Sequence, residues 1–402
     1  MPFALCSLRV SRMRTSVLFL TNAYPDFDSS YRGIFVKKMA TLLKREGYQI
    51  SVVTPKIYRK SPYFEDQEGI KVYRFPFFAR NKLLIEYGRI PYLRMILYFI
   101  SGFFLTLYVL FSHRCRLIHA HWAIPTGLIG ILAGTLSKKP VVVTIHGSDF
   151  RMAMEGSVLL KKLFIYVCKK ARHVNCVSGA QKKEIEELGI AGKKISIIPM
   201  GVETGFREAG RRLKRIDQDQ SMNVISNRNL LPIYNVSQLI RAIPLVLKEE
   251  PQTRFFIAGD GQEREKLEKE AKELNVEKSV QFLGPVPHEE MPDLLTKADI
   301  YISTSLYDGT SVSLLEAMAS GAFPVVTDIA PNREWIENGR NGFLFPAHDE
   351  FLLAKRILDA IHDKELLERG RKWNQSIVEE RALWSVCIEK IKGIYESQLF
   401  KK

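Results

Sequence analysis

The feature that most constrains this chain is an alternation, met twice, of short apolar runs with segments whose apolar residues recur at helical spacing. The runs "SVLFLTNAYP" (16–25), "YQISVVTP" (48–55), "RLIHAHW" (116–122), "PVVVTIHG" (140–147) and "HVNCVSG" (173–179) read as strands. Between them "GIFVKKMATLLKREG" (33–47) and "GLIGILAGTLS" (127–137) read as helices. Apolar runs of this kind, bounded by Gly and Pro and joined through helices, indicate a parallel sheet buried on both faces. Residues 199–223 are polar, charged and without periodicity. Past them the alternation restarts, with "NVISN", "RFFIAG", "VQFLG", "DIYISTS", "FPVVTD" and "GFLFP" as strands. The expected fold is α/β, two doubly wound domains in tandem with ligands at the carboxyl ends of the strands, facing a cleft between them.

At 402 residues the chain is too long for one ordinary core. The pattern divides it into an extension at 1–12, a first Rossmann-like domain at 13–200, a linker at 201–222, a second at 223–375, and a helix at 376–402 packing back towards the first domain. A hydrophobic fraction of 46% with 26% charged residues is that of a soluble globular protein. The five cysteines (Cys6, Cys115, Cys168, Cys176, Cys387) are scattered, which fits a reducing compartment. The first dozen residues do not read as a signal peptide.

The charge is unevenly distributed. Residues 1–205 hold 31 Lys and Arg against 13 Asp and Glu, a net of +18, and residues 206–402 hold 28 against 31, a net of −3. A basic half suits nucleic acid, an anionic membrane or phosphorylated substrates, and no nucleic-acid-binding module is visible. Residues 95–112 are almost wholly apolar, interrupted by Ser101, Gly102 and Thr106. A core helix, a helix on a bilayer surface and a spanning helix all fit that length.

The richest stretch for chemistry is "STSLYDGTSVSLLEAMASGAFPVVT" (303–327). A strand delivers the chain to a loop carrying Asp308, Gly309, Thr310 and Ser311, and a helix follows whose first N–H groups form an anion site. Carboxylates beside a phosphate repel it, so Asp308 and Glu316 suit hydroxyls of a sugar or ribose. Local alternatives stand beside this. Ser313 and Glu316 match a capping box, and Asp308 before Gly309 matches a turn aspartate.

The same stretch, with "RGIFVKKMATLLKREGYQISVVTP", "IHAHWAIPTGLIG", "PVVVTIHGSD" and "ISIIPMGVE" in order, resembles glycosyltransferase family 4, retaining enzymes of GT-B architecture. The resemblance implies that Asp308 contacts the donor sugar and Glu316 the ribose. It implies that Arg228 holds the donor diphosphate and that Gly33 lets a loop approach it. His146 would contact the donor sugar, so His146, Asp308 and Arg228 are the catalytic candidates. Gly33, Arg228, Gly309, Thr310, Ser311 and Glu316 are the donor-binding candidates. Asp149 either contacts the acceptor or caps a turn. Two departures stand out: the family's first acid is generally Glu, and its usual Lys-Gly after the arginine is here Tyr234-Asn235.

His119 and His121 share a strand face, but no third ligand lies at a convincing spacing. The resemblance implies no catalytic metal either, and no cofactor is expected. The implied partners are a nucleoside diphosphate sugar, a saccharide or lipid-linked saccharide, and an anionic membrane on its cytoplasmic side, with no nucleic acid. A different GT-B enzyme, such as a phosphorylase or a sugar-nucleotide epimerase, and a non-catalytic scaffold with a degenerate site remain the rival readings.

Overall fold

A computed structural model describes residues 15–27, 32–77, 92–211 and 221–399. The expected extension at 1–12 lies outside the described residues. The chain forms two compact units.

In chain order the first alternation forms β1 (Ser16–Thr21), α1 (Ile34–Arg45), β2 (Gln49–Lys56), β3 (Phe64–Gln67) and β4 (Ile70–Pro76). It continues through α2 (Tyr92–Ser112), β5 (Leu117–His121), α3 (Leu128–Ser137), β6 (Val141–Ile145), α4 (Ser148–Glu155) and α5 (Val158–Lys170). Then come β7 (His173–Cys176), α6 (Gly179–Glu187) and β8 (Ile195–Ile197). The eight strands form one sheet in the order β3-β4-β2-β1-β5-β6-β7-β8. β1 is buried throughout, since it lies mid-sheet, and its Val, Leu and Phe side chains fill the core. Each such side chain, fully buried, stabilises by about 1.5–3 kcal/mol.

One strand departs from the expected parallel sheet. β3 pairs antiparallel with β4 through a two-residue turn in which Glu68 and Gly69 both have positive φ. Its sequence, FEDQ, is polar and half exposed, so no apolar run announced it. Because α2, α3 and α5 each lead onwards across the sheet in one direction, right-handed crossovers put them on one face. α1 runs in the reverse direction and covers the other.

The second alternation comprises α7 (Thr204–Arg211), β9 (Asn223–Ser226), α8 (Val236–Glu249), β10 (Arg254–Ala258), α9 (Arg264–Glu273) and β11 (Val280–Gly284). It goes on with α10 (Met291–Thr296), β12 (Ile300–Ser303), α11 (Val312–Ser320), β13 (Phe323–Thr327), α12 (Ala330–Arg333) and β14 (Phe343–Phe345). α13 (Glu350–His362), α14 (Lys364–Arg381) and α15 (Trp384–Leu399) complete it. Six parallel strands run in the order β11-β10-β9-β12-β13-β14.

The units do not divide where the sequence placed the linker. Cys176–Glu187 and Ile197–Lys390 belong to the second unit, and the first gathers the residues up to Asn175, Leu188–Ser196 and the chain from Ile391. The segment expected to be a linker contains α7, whose Phe206 is buried with Leu314 and Leu315. α7 is otherwise polar, which is why it read as a linker. Residues 212–220 lie outside the described residues. The expected C-terminal helix is two helices: α14 stays with the second unit, and the division falls inside α15.

Candidate functional site

In the second unit, β9 ends at Ser226 and the chain turns at Asn227 into a buried Arg228. Its guanidinium donates to Asp308 Oδ2 at 2.6 Å and to Ser311 Oγ at 2.8 Å, and it stacks 4.2 Å over the Tyr234 ring. Burial alone would lower the Arg228 pKa, but the Asp308 carboxylate, with Tyr301 and Tyr234, holds it above its ordinary value. The residue standing where the family's lysine is expected thus supports the arginine from below.

Two glycines fix this loop from behind. A Cβ on Gly259 would sit 2.4 Å from the Arg228 carbonyl oxygen, and one on Gly261 would sit 2.4 Å from that of Leu230. The Gly-x-Gly of "AGDGQE" is therefore a seat for the arginine loop, a role its sequence did not reveal.

Ser311, not Ser313, caps α11, its Oγ accepting from the Leu314 N–H at 3.3 Å. This overturns the capping-box alternative for Glu316, which lies too far along the helix and turns instead towards His288. The His288 Nδ1 stands 3.9 Å from Glu316 Oε1, and its Nε2 stands 3.6 Å from Glu203. Burial raises the Glu316 pKa to about 7, with His288 and Arg228 opposing and Glu203 adding to the rise. The plain-turn alternative for Asp308 fails too, because it is ion-paired with Arg228. Gly309 does not adopt the left-handed conformation. Thr310 is buried and donates to the Val177 carbonyl at 2.6 Å, so its hydroxyl anchors the loop.

In the first unit the candidates gather at the carboxyl ends of β1, β5 and β6. Gly33 caps α1 at φ 67°, and a Cβ there would stand 2.1 Å from the Ala23 carbonyl oxygen. Glycine is thus required by the packing of α1 on the end of β1, whatever binds there. His146 follows β6, and its Nε2 lies 3.1 Å from Nδ1 of His121. The ring of His146 also lies against Phe35 and Trp122, at 5.0 Å and 4.5 Å between centroids. Behind this pair, His119 meets Tyr395 at 2.6 Å and Thr144 at 2.7 Å. Desolvation, with His119 adding to it, lowers the His146 pKa to about 3, so the ring is neutral at pH 7.

Asp149 is fully enclosed. Its Oδ2 accepts from the Ala123 N–H at 2.6 Å and its Oδ1 from the His146 N–H at 3.2 Å. The carboxylate thereby clamps the loops that follow β5 and β6. Burial nevertheless raises its pKa to about 6. Among the described residues no group of three His, Cys, Asp or Glu side chains is placed to hold a metal ion.

Residues 33–206 match the family described as glycosyltransferase family 4, and residues 211–376 match glycosyl transferases group 1. The chain is 25% identical to TuaC of Bacillus subtilis, a putative teichuronic acid biosynthesis glycosyltransferase, over 90% of this chain and 92% of that one. It is 24% identical to an Escherichia coli UDP-Gal:alpha-D-GlcNAc-diphosphoundecaprenol alpha-1,3-galactosyltransferase, over 90% and 92%. The fold is shared with sucrose-phosphate synthase from Thermosynechococcus elongatus, at a TM-score of 0.76 and 17% identity, covering 96% of this chain and 99% of that one. It is also shared with Anabaena HepE in complex with UDP, at 0.74 and 18%, covering 95% and 100%. With two Rossmann-like units and both halves matched, the chain belongs to the family 4, group 1 glycosyltransferases of GT-B architecture.

Proposed function

We propose that the chain is a retaining enzyme that moves a sugar from a nucleoside diphosphate sugar to a lipid-linked saccharide, in the building of a cell-surface polysaccharide at the cytoplasmic face of the membrane. The observation that carries this reading is the Arg228–Asp308–Ser311 cluster at the N-terminus of α11. A diphosphate seated there meets Arg228 and the unpaired N–H groups of the helix, which stabilise charge developing on the departing phosphate. Asp308, held by the same arginine, is placed to accept from a hydroxyl of the donor sugar. Glu316 is placed to accept from the ribose, and only its ionised form can take both hydroxyls. Neutral His146 exchanges a hydrogen bond with a sugar hydroxyl at no electrostatic cost. In a same-face substitution the leaving diphosphate itself takes the acceptor's proton, so no side-chain nucleophile is called for.

A uridine donor is favoured by the relative named for UDP-Gal and the fold neighbour solved with UDP. A lipid-linked acceptor is favoured by the relative acting on a diphosphoundecaprenol saccharide. The test is thermal unfolding with UDP, GDP and ADP, on the wild type and on Glu316→Ala. A nucleotide at about 100 times its Kd stabilises by about 2.7 kcal/mol. Stabilisation by UDP that the variant loses is the expected result. No shift with any nucleotide would sink the reading.

A further inference from the structure

α2 is the helix that sequence left open between core, surface and span. Its buried face carries Tyr98, Gly102, Thr106 and Val109. A Cβ on Gly102 would stand 3.0 Å from Ile129 of α3 and 3.2 Å from Phe75 of β4, so the helix lies close on both. Ser101 donates to the Pro76 carbonyl at 2.9 Å. Of the residues that interrupt the apolar run, Ser101 and Gly102 thus fasten α2 to the folded unit, while the buried Thr106 donates to the Gly102 carbonyl within the helix. The opposite face is otherwise. Leu93, Ile96, Ile100, Phe104, Tyr108 and Phe111 are each between 52% and 84% exposed. They form one stripe at helical spacing along a helix long and apolar enough to cross a membrane. Leu132 and Leu136 of the neighbouring α3 are exposed as well, on the same side of the sheet.

We propose that this outer face of α2 and α3 docks flat on an anionic bilayer, with α2 lying along the interface instead of crossing it. The inference rests on the lipid-linked acceptor proposed above and names the surface that reaches it. Charge selects the occupant. Residues 87–148 contain no Asp or Glu, while Arg94, Arg114, Arg116, Lys138 and Lys139 lie at the ends of α2 and α3. An apolar stripe bounded by cations suits anionic headgroups over an acyl boundary. A second copy of the chain would bring the same cations face to face and be repelled. Crossing the bilayer would strip α2 from β4 and α3. The docked helix also reaches the site of the first unit, because the Tyr98 hydroxyl donates to Asn22 Oδ1 at 2.5 Å in the loop that follows β1. That places the carboxyl ends of β1, β5 and β6 beside the headgroups, where a lipid-linked acceptor presents its saccharide.

The experiment is vesicle co-sedimentation of the full chain, on phosphatidylcholine alone and with about one third phosphatidylglycerol, for the wild type and for Ile100→Asp/Phe104→Asp. Both substituted side chains are exposed, so the variant should keep its melting temperature. The wild type is expected to sediment with the anionic vesicles, less at high salt, and to be released by alkaline carbonate. The variant's partition coefficient is expected to fall tenfold or more. Its stabilisation by UDP, and its transfer to a short-chain water-soluble acceptor, should be unchanged. Equal vesicle binding by variant and wild type overturns the proposal. So does resistance to carbonate, which indicates a span, or a dimer by light scattering that the variant breaks without losing vesicles. Vesicle binding lost in the wild type while UDP still stabilises it removes the docking face alone. Vesicle binding without any nucleotide effect removes the transferase reading alone.

Discussion

The two units place their polar residues at the same end of the same kind of sheet, yet by opposite electrostatic means. In the first unit the buried His119 and His121 and the half-buried His146 stack behind one another, all held neutral by desolvation. In the second, a buried cation is held by a carboxylate 2.6 Å away, and a second buried carboxylate sits by a histidine. Neutral donors and acceptors order hydroxyls without a field. Opposed charges, paired in advance, suit the diphosphate and ribose of the donor proposed above. The difference teaches that one topology can present either environment, depending on what stands at the strand ends.

Arg228→Ala should break the second arrangement most severely. Removing this buried cation unpairs Asp308 and strips the charge proposed to face the diphosphate, so kcat/KM for transfer should fall by about 100- to 1,000-fold. Steady-state kinetics will show it, and a loss under tenfold would mean that Arg228 does not meet the transferring group.

The next effect is a pH dependence that sets Glu316 against His146. Glu316 has its pKa raised from 4.5 to about 7, so the folded state keeps a proton that the unfolded state gives up. Stability from this group is therefore greatest below about 4.5 and declines as pH rises to about 7, by on the order of 3 kcal/mol. Melting temperatures of Glu316→Gln across that window should be flatter than those of the wild type. Nucleotide affinity, which needs the carboxylate, should rise over the same window. No matching inflection should come from His146, whose pKa of about 3 lies below it. The His146 imidazole titrating near neutrality in nuclear magnetic resonance would collapse the contrast.

Gly33→Ala tests how rigid the first unit's site is. The added methyl meets the Ala23 carbonyl at 2.1 Å in a left-handed backbone, and should cost roughly 1–3 kcal/mol of stability. Denaturant unfolding measures it. The smallest effect is expected of Tyr234→Ala, which removes the ring beneath Arg228 and about 0.5–2 kcal/mol of support for it. A Tyr234→Lys variant that binds UDP more weakly than the wild type would show that the stacked ring suits this arginine better than a second cation.

Much of this could be read from the chain, for physical reasons. The buried strands announced themselves because a residue enclosed on both faces must be apolar, as in "SVLFL" and "PVVVT". FEDQ of β3 did not, because an edge strand is under no such demand. The α11 cap was misplaced by two residues because Ser311 and Ser313 both satisfy local rules, and only Arg228, some eighty positions earlier, makes Ser311 the better seat. Partners distant in sequence were the hardest to see. Nothing near Glu316 pointed to His288, nor did anything near Arg228 point to the glycines of "AGDGQE".

Distance along the chain has one further consequence, for how the protein is made. Tyr395 is wholly buried and bonded to His119, in the unit whose sheet is otherwise complete by Ile197. At about 5–20 residues per second, some 200 residues separate the last strand from that tyrosine, so the ribosome takes roughly 10–40 seconds to supply it. During that interval the nascent first unit holds an unfilled seat beside His119. The later unit has most of its core residues made before the earlier one receives its last helix, so the first domain to begin is the last to be completed.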